Sequence, residues 1–324
     1  MTSLDEQVTK YLTDAHSIER QALVQMRGAP DIAGDPVIAS AFVQHLAETE
    51  AHESLVRQRL DARGASPAVL KEIAGAVTGA GFAMFAAVQP DTPGKLVTHA
   101  YSYEHMELAA YDLLSRIAER AGDSETVRVA RQILTQEQAM ADRLASLFDR
   151  AVDASLREQK PDDLGEQLNK YLTDAHAIEA QALQLLGRAP KIVGESRLAA
   201  AFEEHRAGTE THQRLVEERL QARSAGASTL KDAALRLGAL NWGGFFQAQP
   251  DTPAKLAGFA YAFEHLEIAA YELLARVARR AGDTDTEAVA QRILPEERAA
   301  AEKLHSLFEV ATEAGLEAQG VAAR

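Results

Sequence analysis

The chain is written twice. Displaced by 160 residues, its acidic, histidine and aromatic positions recur with no insertion or deletion between the copies. Tyr11-Leu-Thr-Asp14-Ala-His16-x-Ile-Glu19 returns as Tyr171-Leu-Thr-Asp174-Ala-His176-x-Ile-Glu179. Tyr103-Glu104-His105-x-Glu107 with Tyr111 returns as Phe263-Glu264-His265-x-Glu267 with Tyr271, and Pro90-Asp91-Thr92-Pro93 as Pro250-Asp251-Thr252-Pro253. Solenoid repeats run at roughly 20–50 residues, so a period this long is a whole domain. A chain of 324 residues holds two such domains, each large enough to bury its own core without disulfide or structural-metal staples.

Alanine, leucine, glutamate and arginine dominate, aromatics are 6% and continuous β-branched runs are absent, which favours helices over sheets. Punctuation divides the first copy. Helix one runs from Leu4 to about Arg27, where Gly28-Ala-Pro30 and Gly34-Asp-Pro36 break it; Asp35 before Pro36 starts helix two, which ends at about Arg63 before Gly64. A glycine-bearing segment from Pro67 to Gln89 reads as a packed, weakly helical crossover, with its partner at 227–249. Thr92 before Pro93 caps helix three, which continues to about Ala121. Gly122-Asp123-Ser124 is a helix stop followed by a new cap, so helices three and four run antiparallel. Helix four ends near Gln159, and Lys160-Pro161-Asp162-Asp163 breaks the periodicity before the second copy begins around Leu164. The expectation is all-α: two tandem four-helix bundles, residues 1–160 and 161–324, each with a short crossover helix between helices two and three.

The formal charge of −14 argues against nucleic acid, which needs a concentrated basic face, and suits metal cations. With no cysteine, disulfides, thiolate zinc sites and iron–sulfur clusters are excluded. The opening Met-Thr-Ser-Leu-Asp-Glu lacks the regions of a secretory signal and no apolar run is long enough to span a membrane, so a soluble cytoplasmic protein is expected.

Acids stand where a core should be. Helix one carries Val8, Leu12, Ala15, Ala22 and Met26 on one stripe, and Glu19 completes it at helical spacing. Helix two interrupts Ile38, Ala41, Phe42, Leu55 and Val56 with His45, Glu48 and His52. Helix three sets Glu104, Glu107 and Tyr111 between Val97, Ala100, Leu114 and Ala118, and helix four sets Glu137 between Ala130, Leu134, Ala141, Leu144 and Phe148. A single glutamate in a stripe is ordinarily a rim residue, and a lone inward histidine a hydrogen-bonded core group. Four helices doing so together is different, because ionised carboxylates buried alone cost several kcal/mol each. Arg20, Arg57, Arg59 and Arg143 fall on polar faces, leaving histidines and metal ions as the compensation. Bundles bind two iron or manganese ions in this manner, and oxygen with imidazole donors suits both metals. Tyr111 and Tyr271 read as core aromatics whose hydroxyls bond a carboxylate. Asp14 and Asp174 read as surface residues, His16 and His176 as either polar-face or supporting groups, and His105 and His265 as structural or interfacial. Asp142 and Glu302 lie off the inward line.

Taken together, Asp14 to Glu19, His45-Leu-Ala-Glu48-Thr49, Glu104-His105-Met-Glu107-Leu-Ala-Ala-Tyr111, and Glu137 followed by Asp142 and Leu144 resemble the ferritin-like superfamily. Within it they are most similar to the YciE/YciF family of bacterial stress-associated proteins. Glu104 and Glu107 on one helix also resemble rubrerythrin, a peroxide-reducing relative. The resemblance covers nearly all of each copy and implies a four-helix bundle with a long crossover, a dinuclear carboxylate site, and a role in oxidative or general stress. It implies Glu19, Glu48, Glu107 and Glu137 as principal ligands, nitrogen from His45 or His52, and Glu104 as an exchangeable or supporting carboxylate. Single-copy relatives resemble subunits of symmetric dimers, so the tandem chain is expected to pack as an intramolecular pseudo-dimer.

Two departures qualify this. The usual Glu-x-x-His signature is missing, since Ala51 follows Glu48 by three residues and Met140 follows Glu137 by three. In the second copy Glu179, His205, His212, Glu264, Glu267 and Glu297 persist, but Gly208 stands where Glu48 is expected to bridge. Glu210 lies about 200° around the helix from that position. The expectation is therefore a competent site in the first copy and a degenerate one in the second. Three functions compete: a di-iron or di-manganese protein reacting with oxygen or peroxide; a non-catalytic helical scaffold or stress-induced binding protein with faded sites; and an oxygen-activating enzyme for a small organic substrate, suggested by the Asn241-Trp242-Gly243-Gly244-Phe245-Phe246 segment.

Overall fold

The computed structural model describes residues 3–65, 92–157, 160, 163–223 and 252–321. Both expected crossovers, and the Trp242 segment, lie outside the described residues. Within them the chain is all-helical and forms two tandem bundles. The first contains α1 (Leu4–Ile32), α2 (Pro36–Ala62), α3 (Pro93–Ala121), α4 (Ser124–Ser146) and α5 (Phe148–Leu156). The second repeats the order as α6 (Leu164–Val193), α7 (Ser196–Ala222), α8 (Thr252–Arg280), α9 (Thr284–Ser306) and α10 (Phe308–Ala318).

Local chemistry sets most boundaries. Ser3 and Glu6 form a reciprocal capping box at the start of α1, satisfying two otherwise orphaned backbone donors. Asp35 accepts from the Val37 and Ile38 amides to cap α2, and Arg150 of α5 reaches the same carboxylate. Thr92 accepts from the Lys95 amide ahead of Pro93. Gly122 ends α3 in the left-handed region, φ 74°, where a side chain would be strained. Asp123 then caps α4 through the Thr126 amide and receives Arg59 and Arg63 from the far end of α2. Asp283, Arg219 and Arg223 repeat this arrangement.

Two boundaries differ from the sequence expectation. Helix one continues through Gly28 and Pro30 to Ile32; a proline this close to the end removes one backbone donor, and buried Ala29 and Ala33 hold the last turn inward. Helix four is two helices, because the Leu147 amide bonds the Leu144 carbonyl at 2.9 Å in a tight turn. That turn sends Leu147 and Phe148 into the core together. Leu307 repeats it.

The repeats pack on each other through α3 and α8. Ser102 Oγ donates to the Ala262 carbonyl at 2.7 Å. Gly258 lets the helices approach closely, since a Cβ there would sit 3.3 Å from both Ala109 and Leu113. Charges rim the contact reciprocally: Arg116 and Arg120 reach Glu309 on α10, while Arg276 and Arg280 reach Asp149 on α5. Asp14, expected on the surface, is buried and meets Lys255 at 2.8 Å. Helical spacing along α1 does not show this, because Lys255 comes from α8 of the other repeat. Its counterpart Asp174 remains half-exposed, 4.0 Å from Lys95.

Candidate metal centre

Each long helix of the first repeat delivers its inward acid or histidine to one place. Glu19 comes from α1, His45 and His52 from α2, Glu104 and Glu107 from α3, and Glu137 from α4; all six are buried. They fall into two groups, His45 with Glu104, Glu107 and Glu137, and Glu19 with His52 and Glu137. Within each group the candidate ligand atoms lie within 4.8 Å of one another. Glu137 belongs to both groups, and Glu48 to neither. The second repeat builds the same pair of groups, His205 with Glu264, Glu267 and Glu297, and Glu179 with His212 and Glu297.

Glu48 departs from its expected place. Its side chain is 26% exposed and its Oε2 lies 3.0 Å from His45 Nδ1, while Gln44 donates to Oε1. Along α2 the residues advance about 100° each, so His45 and His52 nearly align while Glu48 falls some 40–60° aside, at the rim. Gly208 therefore removes a partner of His205 and no member of the convergent set, and the reason for expecting a degenerate second site falls away.

The remaining polar contacts leave atoms aimed inward. Tyr111 donates to Glu19 Oε1 at 2.5 Å, leaving Oε2 without a hydrogen-bond partner. Both oxygens of Glu107 and of Glu137 are likewise buried and unpartnered by hydrogen bonds. His45 Nε2 sits 3.2 Å from Glu104 and 3.4 Å from Glu137, and His52 Nδ1 sits 2.8 Å from Glu137 Oε1; neither contact has the alignment of a hydrogen bond. Buried oxygens and ring nitrogens without donors between them are costly unless protons or cations fill the space. The set fits hard divalent cations: counting Glu19, Glu104, Glu107 and Glu137, the fully ionised carboxylates carry as much negative charge as two such ions carry positive.

The electrostatics describe the same crowding. Burial, then the neighbouring Glu137, pushes the Glu19 carboxyl up to about 8. Burial raises Glu104 to about 7 against the opposing pull of His45, and burial followed by Glu137 and Glu19 raises Glu107 well above the carboxylate range. Burial alone would lower His45, but Glu104 and then Glu137 hold it up to about 10. Glu179 at about 8 and His205 and His212 at about 9 repeat the pattern.

Supporting residues complete the picture. His16 pairs with Glu53 on the polar face at 2.9 Å, and Asp142 is exposed beside Gln138. Two partners were missed from sequence: Gln136 Oε1 lies 3.1 Å from His52 Nε2, and Glu296 Oε2 lies 2.9 Å from His212 Nε2. Each precedes the glutamate shared by both groups, Glu137 or Glu297, and reads as a polar-face residue; the only available signal is that aligned repeats exchange glutamine for glutamate there.

Among the described residues no helix is long and apolar enough to cross a membrane. No solved structure matches the chain. A family model described as a domain of unknown function, DUF892, matches residues 3–157 and again residues 163–317. The chain thus belongs to the DUF892 family and carries its domain twice in tandem.

Proposed function

We propose that the protein is a non-haem dinuclear iron or manganese carboxylate protein that reacts with oxygen or peroxide, with a centre in each repeat. The observation that carries this is Glu137, a buried carboxylate neither of whose oxygens has an aligned hydrogen bond, shared between the His45–Glu104–Glu107 and Glu19–His52 groups. In this reading His45, Glu104 and Glu107 would hold one ion, Glu19 and His52 would hold the other, and Glu137, a member of both groups, would serve both. Tyr111 fixes Glu19 through one oxygen and leaves the second for the ion. Bound iron or manganese supplies redox chemistry that these side chains cannot, while the carboxylates set geometry and potential.

The likeness of the same residues to the ferritin-like YciE/YciF proteins, and to rubrerythrin, supports the reading and extends it to oxidative or general stress. The reciprocal contacts of α3 with α8 support treating the two repeats as an intramolecular pseudo-dimer. Ferrous loading under air tests the proposal: oxo-bridge absorption in the near ultraviolet, with consumption of oxygen or added peroxide, is expected. A chain that takes up no iron and shows no such band belongs instead to the scaffold class.

A further inference from the structure

Each inward histidine uses one ring nitrogen toward the convergent carboxylates and turns the other outward, and the outward partners differ between the repeats. In the first repeat His45 Nδ1 meets the Glu48 carboxylate at 3.0 Å, whereas His52 Nε2 meets the neutral amide oxygen of Gln136 at 3.1 Å. In the second repeat the assignment is reversed. Gly208 replaces Glu48, no side chain among the described residues takes its place on His205 Nδ1, and the His205 side chain is 11% exposed where His45 is 0%. His212 Nε2 meets the carboxylate of Glu296, the counterpart of Gln136, at 2.9 Å.

A carboxylate accepting the outer N–H of a ligating histidine locks its tautomer and ring orientation and makes the inner nitrogen a better donor; an amide does this more weakly, and water more weakly still. The inward acids are matched one for one between the repeats, so the outward partners are what distinguishes equivalent positions. Resting on the metal-binding reading above, we propose that the two centres are wired in opposite senses. The His45 position of the first repeat holds its divalent ion more tightly than the His205 position of the second, and the His212 position of the second holds its ion more tightly than the His52 position of the first. Glu48 and Glu296 are then positioning residues for different halves of their centres. The second repeat is a rewired site, and its Gly208 is one half of a compensated exchange.

The space for the reverse change exists: the nearest heavy atom to a Cβ built at Gly208 is His212 Cε1, at 3.9 Å. Glu296 is 51% exposed, so its replacement by glutamine leaves the core intact. The test is a Mn(II) titration of metal-stripped full-length chain, with free ion counted by electron paramagnetic resonance and folding checked by circular dichroism. Glu48→Gln and Glu296→Gln should each weaken a different binding step by about ten- to a hundredfold, and Gly208→Glu should tighten a third by a similar factor. Gain of affinity at Gly208→Glu is a result that general destabilisation cannot produce. A wild-type chain that binds Mn(II), with Gly208→Glu and Glu296→Gln isotherms superimposed on it, overturns the wiring and leaves the metal reading standing. No Mn(II) binding by the folded wild-type chain overturns both.

Discussion

His105 and His265, equivalent positions in the two repeats, stack face to face across the α3–α8 contact, with ring centroids 3.4 Å apart and planes 15° from parallel. Each donates from Nδ1 to the carbonyl one turn earlier, His105 to Tyr101 and His265 to Tyr261. Tyr101 and Tyr261 pack around the pair. Two imidazolium ions cannot share this place.

An acid-labile seam follows. Burial pushes His105 down to about 4, and burial followed by the facing His105 holds His265 well below the ordinary histidine value. For a base whose folded pKa lies below its ordinary value of about 6.5, the unfolded chain takes up the proton first. Stability is therefore complete above pH 6.5 and is lost as pH falls from there toward 4. His265→Phe should flatten that slope in thermal melts between pH 7 and 4.5; an unchanged slope would show that other groups govern the acid side.

Metal-free protein should show the opposite slope on the alkaline side. The Glu19 carboxyl is raised to about 8 and the His45 imidazole to about 10, so the folded chain holds protons that the unfolded chain releases near 4.5 and 6.5 respectively. Each group thus withdraws stability as pH rises through the interval between its unfolded and folded values. With chelator present, the melting temperature should fall from pH 6 to pH 9. A divalent ion that replaces those protons should remove much of the fall, and a pH-independent melting curve in chelator would count against the buried acid cluster.

Asp123 ties two helices together: it caps α4 and receives Arg59 of α2 and Arg63 just beyond its end. Asp123→Ala removes a cap, ordinarily about 1 kcal/mol, and a charge-assisted bond worth about 1.5–3 kcal/mol. A loss of about 2–4 kcal/mol is expected in urea unfolding, and Asp283→Ala should match it in the second repeat. A loss below about 1 kcal/mol would mean that the arginines find water as readily as the carboxylate.

Much of this architecture is legible in the residues. Thr92-Pro93, Asp35-Pro36 and Gly122-Asp123 mark helix ends by chemistry local to the chain, and the structure keeps them. Inward Glu19, Glu104, Glu107 and Glu137 are legible because helical periodicity puts them in an apolar stripe. The break at Leu147 is not, since Leu147 and Phe148 are both apolar and only the packed core decides that both turn inward. Asp14 was misread for a related reason, its partner Lys255 coming from α8 of the other repeat. Glu48 was misplaced because spacing along one helix does not decide whether a side chain at the edge of the stripe turns in or lies across a neighbouring histidine.

If Glu137 and Glu297, each shared by two convergent groups, serve a pair of ions apiece, an elemental count on chain purified without chelators will register it. About two iron or manganese ions per repeat are expected, with Glu137→Ala emptying the first repeat, Glu297→Ala the second, and the double variant both. Folded wild-type protein carrying neither metal after loading, or a double variant that retains the wild-type count, would contradict it.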